Sequence, residues 1–211
     1  MFCDSLAREP RITIISKKIN ISGPPYGYQT DSWRSAIKQK IEFLLENLTE
    51  QVIFSDCDIQ YFNPSLLFDI MAEAIDLDFY GTRESTYEKR GKYKNNFNTG
   101  FYIVKNVPLV FSLFEKTLAN LTGEKGDQST INDLLFAPEY RRLKLKHAFI
   151  PTHYYTIGPY EPLGSCFHHA TYLPKEEQLL RYYNKYFELY YSKNSLVYGD
   201  KYGEIGYEFL K

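Results

Sequence analysis

The sequence has few cysteines, and their number and spacing exclude several classes of protein. Only three occur among the 211 residues, namely Cys3, Cys57 and Cys166. An odd number without the close spacing of zinc ligands indicates neither a disulfide framework nor a structural zinc site. We therefore expect a reducing compartment, the cytoplasm.

Long hydrophobic runs are also lacking. The longest apolar stretches, such as Val107 to Phe111, are much shorter than the roughly 20 residues that a membrane-spanning helix needs. The first ten residues contain neither the basic nor the apolar region of a secretory signal peptide. We therefore expect no membrane span, and either a single domain or one module of a longer cytoplasmic chain.

The chain carries no excess of charge of one sign. Its 25 basic and 26 acidic residues give a net charge of -1. A nucleic-acid-binding protein would carry a basic surplus, so we expect no nucleic-acid partner. Tyrosine, in contrast, is abundant at 20 residues. Its flat amphipathic ring suits stacking on sugars or bases, although most of these rings will pack in the core.

Strand-like and helix-like segments alternate along a chain whose length fits one domain, residues 1–211. Strands are predicted at 11–16, 52–54, 76–81 and 101–104, with one or two weaker strands within 143–150. Helices are predicted at 31–48, 63–75, 108–121 and 128–136, and another at 176–192 in a tyrosine-rich tail that begins near residue 175. This alternation predicts an α/β fold with a mixed, mainly parallel central sheet flanked by helices.

The most informative stretch follows the strand at 52–54. The chain continues Ser55-Asp56-Cys57-Asp58, which places two carboxylates where a buried strand gives way to a loop. Ligands bind at the carboxyl ends of strands in an open α/β sheet. Two nearby carboxylates repel each other unless a cation lies between them or one takes a proton. Because Mg²⁺ and Mn²⁺ prefer carboxylate oxygens and substrate phosphates, we predict a divalent-metal site here.

The helix at 31–48 offers positive charge near the same edge of the sheet. A helix that leads into a parallel strand runs antiparallel to it, so its N-terminal half lies beside the carboxyl end of that strand. Arg34 and Lys38 lie one turn apart on one face of this helix. They could neutralise the charge of a diphosphate, although solvated surface charges are the commoner explanation. Arg83 and Glu84 are predicted to lie at the same edge of the sheet.

Four short elements occur in one order along the chain: the strand with Asp56 and Asp58, then Asn98-Thr99-Gly100, then Gly126-Asp127-Gln128, and finally Phe167-His168-His169. In this order they resemble the nucleotide-sugar glycosyltransferases of the GT-A fold, over roughly residues 11–172. The tyrosine-rich tail and the compact length resemble, more narrowly, the N-terminal domain of a chlorella virus glycosyltransferase. The resemblance implies a GT-A-like single domain, which would work in the host cytoplasm if the protein is viral. We also expect a monomer.

The same resemblance implies a reaction and a metal. A hexosyltransferase of this family would move a hexose or 6-deoxyhexose from a UDP-sugar to a glycan or glycoprotein acceptor, with Mn²⁺ or Mg²⁺ as a Lewis acid for the departing diphosphate. Asp58 would bind the metal, and Asp56 would bind the metal or the ribose. His168 or His169 would supply a further ligand, and the sequence leaves open which of them does. The assignment of uridine as the base of the donor depends on analogy with the family. One predicted strand precedes the Asp pair in this chain, whereas family members usually have a fuller nucleotide-binding half there.

The remaining elements are predicted to contact the donor sugar. Asn98, Thr99, Gly100 and Gln128 would bind the donor, since glycine allows close approach and asparagine offers both a donor and an acceptor; the alternative is an ordinary turn. Asp127 would be the general base of an inverting enzyme. In a retaining enzyme it would instead bind donor hydroxyls or stabilise an oxocarbenium-like charge. Alternatively, it caps the helix that follows.

Two other functions fit parts of the sequence. A phosphohydrolase of the haloacid-dehalogenase type also has Asp-x-Asp after an apolar strand, with the first Asp as nucleophile. Those enzymes normally carry Thr or Val at the position of Gln60. A module that binds a sugar nucleotide without turnover is the second alternative, and the intact Asp pair and Asp127 argue against it. Metal-dependent release of a nucleoside diphosphate distinguishes a glycosyltransferase from both.

Overall fold

A computed structural model describes residue 6 and residues 9–19, 30–56, 59–84, 96–122, 125–157 and 165–169. Cys57 and Asp58 lie outside these residues, as does the helix predicted at 176–192. No helix in the described part of the chain is long and apolar enough to cross a membrane.

The described residues form helices and strands in the following order. The α-helices are α1 (Asp31–Asn47), α2 (Leu67–Glu73), α3 (Pro108–Asn120), α4 (Asp127–Leu135) and α5 (Pro138–Arg142). The strands are β1 (Gln51–Ser55), β2 (Ile59–Tyr61), β3 (Phe79–Arg83), β4 (Phe97–Lys105), β5 (His147–Phe149), β6 (Tyr155–Ile157) and β7 (Phe167–His169). Short 3₁₀ helices lie at Pro64–Leu66, Ala74–Asp76 and Thr152–Tyr154.

The helices predicted at 31–48, 63–75, 108–121 and 128–136 are confirmed, with differences at their ends. The helix predicted at 63–75 begins and ends in 3₁₀ turns on either side of α2. The N-cap of α1 is Thr30, whose hydroxyl oxygen accepts a hydrogen bond from the backbone N–H of Trp33 at 3.2 Å. Asp31 and Ser32 are therefore the first two helical residues.

The main sheet has the strand order β1-β4-β3-β5. Strand β4 is antiparallel to both of its neighbours, whereas β3 and β5 are parallel. The predicted mixed sheet is confirmed, and three of its four described strands run in one direction. Because β4 lies between two of these three strands, parallel pairing in this sheet is limited to β3 and β5. A second sheet has the order β2-β7-β6, with β7 antiparallel to β2 and parallel to β6.

The strand predicted at 11–16 is wrong. Residues 12–19 form neither helix nor strand, and Ile14 and Ile15 are exposed. An alternation of apolar residues favours an extended chain, but a strand also needs a neighbour with which to exchange backbone hydrogen bonds. None of the described strands pairs with this segment, so the local pattern produces no strand.

Strand β4 is buried on both faces and separates two apolar clusters. Tyr102 and Val104 face the cluster formed with α1, α3 and α4, whereas Phe101 and Ile103 face the cluster formed with α2 and the second sheet. Successive side chains of a strand point to opposite faces, so alternate residues reach the two clusters. The N-terminal part of β4 is thereby held between helices and the second sheet, beside the end of β1.

Candidate functional site

A bulge in β4 organises the candidate site. Gly81 of β3 pairs with Tyr102, but the next described pair is Arg83 with Phe97. Thr82 alone therefore stands opposite the four residues 98–101, which leave the regular ladder with β3. The segment Asn98-Thr99-Gly100, for which an ordinary turn was the alternative to donor contact, is thus a bulge within a long strand. On its other side, Phe101 pairs with Ser55, the last residue of β1.

Side chains provide the hydrogen bonds that the bulge no longer exchanges with β3. The backbone N–H of Thr99 donates to Oε1 of Gln128 at 3.3 Å, and that of Gly100 donates to Oδ1 of Asn98 at 2.9 Å. The hydroxyl of Thr82 donates to the carbonyl oxygen of Asn98 at 3.4 Å. Buried backbone groups require such partners. Asn98 and Gln128, predicted to contact the donor, support the backbone of the bulge in this structure.

Lys40 lies between two carboxylates at this bulge. Its Nζ is 2.9 Å from Oδ1 of Asp56 and 2.8 Å from Oδ2 of Asp127, and it donates to the carbonyl oxygen of Thr99 at 3.2 Å. Burial by itself would lower the pKa of Lys40, but the charges of Asp127 and Asp56 outweigh burial and raise it. Lys40 is therefore a charged ammonium that compensates two acidic side chains at once.

Sequence reasoning missed Lys40, although the sequence contains a signal for it. Lys40 follows Ala36 by four residues and Ile37 by three, so it lies on the same helix face as these side chains. That face is the buried side of α1, whose buried residues are Ser32, Ala36, Ile37, Ile41 and Leu44. A lysine within an apolar stripe indicates a buried cation with acidic partners, because an unpaired buried charge is very costly.

Arg34 and Lys38, the cations chosen from the sequence, lie elsewhere on α1. Arg34 forms an ion pair with Asp31, one turn earlier in the helix. Nζ of Lys38 is 3.7 Å from Oε1 of Glu42, and 64% of the Lys38 side chain is exposed. Their role in binding a diphosphate remains a prediction. The cation of α1 that contacts Asp56 at the end of β1 is Lys40.

Asp127 is the first residue of α4, and its side chain is 11% exposed. Its Oδ2 accepts a hydrogen bond from the hydroxyl of Thr99 at 3.2 Å, in addition to the contact with Lys40. The N-cap of α4 is Gly126, so the alternative that Asp127 caps this helix is wrong. A Cβ on Gly126 would lie 2.7 Å from the indole of Trp33, so glycine lets α4 begin directly against α1.

The two adjacent histidines of β7 have different surroundings. His168 Nδ1 lies 2.7 Å from the hydroxyl of Thr156 on β6. His169 pairs with Ile59 of β2, and its imidazole lies directly against Gly100. A Cβ on Gly100 would be 2.0 Å from Cε1 of this ring, so only glycine leaves room for it. His169 is therefore the histidine that contacts the bulge.

Of the four predicted metal ligands, Asp56, His168 and His169 belong to the described residues and Asp58 does not. Among the described residues, no group of three or more His, Cys, Asp or Glu side chains is arranged to hold a metal ion. The backbone N–H of Asp56 donates to the carbonyl oxygen of Gly100 at 2.7 Å, and His169 packs on the same glycine. The backbone of Asp56 and the imidazole of His169 thus both contact Gly100, and a carboxylate such as that of Asp56 is a ligand type that suits Mn²⁺.

Comparison with known proteins identifies a family and a fold. The model of a family described as nucleotide-diphospho-sugar transferase matches residues 1–179. No curated protein matches the chain. A crystal structure of a glycosyltransferase involved in the glycosylation of the major capsid of PBCV-1 is similar, with 16% identity, 76% of this chain and 80% of that chain covered, and a TM-score of 0.50. Mouse xyloside xylosyltransferase 1 in its apo form has 11% identity, coverage of 81% and 71%, and a TM-score of 0.44.

These findings confirm the GT-A-like α/β fold and the narrower resemblance to a chlorella virus glycosyltransferase. At 16% identity the structural likeness shows the fold alone. The use of a nucleotide-sugar donor follows from the family model, which covers most of the chain.

Proposed function

The chain belongs to the nucleotide-diphospho-sugar transferase family, and we propose that it is a metal-dependent hexosyltransferase. Its donor would be a UDP-sugar carrying a hexose or 6-deoxyhexose of the glucose or rhamnose type, and its acceptor a glycan or glycoprotein. The observation that carries this proposal is the contact of Lys40 with Asp56 and Asp127, which joins the end of β1 to the start of α4.

Asp56, Asp58 and His169 are the residues that we propose as ligands of Mn²⁺ or Mg²⁺. Asp56 directly follows β1, at the edge of an α/β sheet where ligands bind. We favour His169 over His168 because its ring lies against Gly100, whose carbonyl oxygen accepts the backbone hydrogen bond of Asp56. When bound, such an ion supplies positive charge for the departing diphosphate.

Asp127 is the residue that we propose to act at the transferred sugar. Its contacts with Lys40 and the Thr99 hydroxyl both involve Oδ2, and we assign Oδ1 to the substrate. In an inverting enzyme Asp127 would accept the proton of the acceptor hydroxyl. In a retaining enzyme it would bind donor hydroxyls or stabilise the positive charge that develops on the sugar. The anomeric configuration of the product, read by NMR, distinguishes these two roles.

Lys40 gives this arrangement its geometry. One ammonium contacts both the carboxylate that we assign to the diphosphate, Asp56, and the carboxylate that we assign to the sugar, Asp127. It is also bonded to the backbone of the bulge at Thr99. A catalytic group must be held within a fraction of an ångström of its productive position, since misplacement by about 1 Å can cost about 100-fold in rate.

The test is to incubate the purified protein with a panel of UDP-sugars, with Mn²⁺ or with EDTA, and to measure free UDP and thermal stability. We expect one UDP-sugar to raise the melting temperature, since a ligand that binds only the folded state stabilises it. The same UDP-sugar should release UDP only when Mn²⁺ is present, and faster with acceptor glycans. Release of inorganic phosphate from simple esters would instead identify a phosphohydrolase, and stabilisation without UDP release would identify a binding module.

A further inference from the structure

Glu84 is a buried carboxylate next to the bulge. It follows β3 directly and is 6% exposed. Its Oε2 accepts a hydrogen bond from Nδ2 of Asn98 at 3.1 Å and another from Nε2 of Gln128. Its backbone N–H donates to the carbonyl oxygen of Asn96 at 2.8 Å, which keeps this carboxylate beside the start of β4. One oxygen atom thus receives two side-chain amides from two different elements.

Each of these two amides also forms a hydrogen bond with the backbone of the bulge. A side-chain amide has its hydrogen-bond donors at one end and its acceptor at the other. Because Glu84 receives the NH₂ ends of Asn98 and Gln128, the oxygen ends of both face the bulge. There, Oδ1 of Asn98 accepts from the N–H of Gly100 at 2.9 Å, and Oε1 of Gln128 accepts from the N–H of Thr99 at 3.3 Å.

The two residues held in this way make the contacts on which the site depends. Thr99 presents its hydroxyl to Asp127 at 3.2 Å and its carbonyl oxygen to Lys40 at 3.2 Å. Gly100 presents its carbonyl oxygen to the N–H of Asp56 at 2.7 Å and its α-carbon to the ring of His169. A change in the shape of the bulge would move all four groups.

We propose that Glu84 is a positioning residue of the donor site. Acting through Asn98 and Gln128, it holds residues 98–101 in the shape that sets the positions of Asp127 and Asp56. This inference rests on the proposed function. In this role Glu84 acts through its acceptor oxygen and does not contact the sugar nucleotide or a metal.

The experiment compares two substitutions of Glu84 that both remove its charge and differ in whether an acceptor oxygen remains. Glu84→Gln removes the charge but keeps an oxygen acceptor, whereas Glu84→Leu removes the acceptor at similar side-chain volume. Steady-state kinetics with the preferred UDP-sugar should give kcat/KM within about threefold of wild type for Glu84→Gln. For Glu84→Leu we expect a loss of about 100-fold, the scale of a misplaced reacting group, with the donor KM raised and the acceptor KM unchanged.

Two results with the Glu84 variants would overturn the inference. Equal losses in Glu84→Gln and Glu84→Leu would mean that the charge of Glu84 acts directly on donor or metal. An unchanged kcat/KM in folded Glu84→Leu would mean that the contact only contributes to stability. If Glu84→Leu does not fold, Gln128→Met decides, because it breaks the same connection between Glu84 and Thr99 while the carboxylate stays. It should lose kcat/KM to a similar extent, and normal kinetics would refute the inference.

Failure of the inference is distinguishable from failure of the proposed function. A wild-type protein that releases no UDP from any UDP-sugar refutes the proposed function. An active wild type whose Glu84→Leu and Gln128→Met variants have normal kinetics refutes the role of Glu84 alone.

Discussion

The ammonium nitrogen of Lys40 lies 2.8 Å from Oδ2 of Asp127, so the middle of α1 is joined to the first residue of α4. The side chains of this pair are only 15% and 11% exposed. In such a setting each charge is poorly solvated and depends on its partner. The same ammonium lies 2.9 Å from Asp56, and the contact therefore determines how two acidic residues are placed.

The substitution Lys40→Met tests how much this contact contributes to the stability of the fold. Methionine fills a similar volume, but the carboxylates of Asp56 and Asp127 would then lose the cation between them. Removing one partner of a buried ion pair costs about 3–5 kcal/mol. Because Asp56 is one-third exposed, we expect the free energy of unfolding, measured by urea titration, to fall by about 3 kcal/mol. UDP release should be strongly reduced at the same time.

A matched control comes from an exposed ion pair of the same type. Nζ of Lys125 lies 2.8 Å from Oδ2 of Asp133, but these side chains are 57% and 62% exposed. Exposed pairs contribute about 0–1 kcal/mol, so Lys125→Met should leave the free energy of unfolding almost unchanged. Equal losses of unfolding free energy in the two variants would contradict the prediction that the Lys40 contacts contribute more to stability than an exposed ion pair does.

The pH dependence of stability follows from the raised pKa of Lys40. The carboxylates of Asp127 and Asp56 outweigh burial and keep this pKa above its ordinary value of 10.5. A basic group whose pKa rises on folding stabilises the protein fully below its unfolded pKa and loses that contribution as the pH rises toward its folded pKa. The stability difference between wild type and Lys40→Met should therefore be constant from about pH 7 to about pH 10 and shrink above about pH 10.5. A difference that shrinks already by about pH 8 would contradict the prediction.

Asp127→Asn tests whether this residue acts in the reaction or in donor binding. Asparagine keeps the shape and an oxygen acceptor for Lys40 and Thr99, but it neither takes up a proton nor balances a positive charge. We expect transfer to fall by about 10²–10⁴-fold, with donor affinity by calorimetry close to that of wild type. A folded variant that no longer binds the UDP-sugar would assign Asp127 to donor recognition.

Gly100→Ala tests the close approach of His169 to the bulge. The added Cβ would lie 2.0 Å from Cε1 of the imidazole, so the ring or the backbone must move. Overpacking of this kind typically costs about 1–3 kcal/mol, which a shift in melting temperature would report. His169→Ala removes the obstacle, so the double variant Gly100→Ala/His169→Ala should be less destabilised than the sum of the single variants. Additive losses would contradict this contact.

Local patterns in the sequence predicted most of the described secondary structure, and the sequence indicated several residues that the structure brings together at the bulge, whose roles stay predictions. The spacing of Ile37, Ile41 and Leu44 is enough to define α1, because a helix satisfies its backbone within one segment. Strand 11–16 failed because strand formation depends on a partner that the local sequence does not specify. Asp56 was predicted from its position after a buried strand, whereas the role of Asp127 was predicted from the resemblance to GT-A glycosyltransferases.

The rest of the site depends on contacts between distant segments. Lys40 meets Asp127 from 87 positions away in the chain, and no local pattern encodes that meeting. The bulge at 98–101 arises from a change of register between β3 and β4. From the sequence, Glu84 was predicted only to lie at this edge of the sheet. Its hydrogen bonds with Asn98 and Gln128 form only when the end of β3, the start of β4 and α4 are packed together.

The central claim is that a cation held at the carboxyl end of β1 takes up the charge of a departing diphosphate. The most direct measurement is an anomalous difference map from crystals soaked with Mn²⁺ and UDP. We predict a manganese peak within ligand distance, roughly 2.0–2.3 Å, of the carboxylate of Asp58 and of Asp56 or His169, with the diphosphate on its other side. A peak bound away from both Asp56 and Asp58 would contradict it.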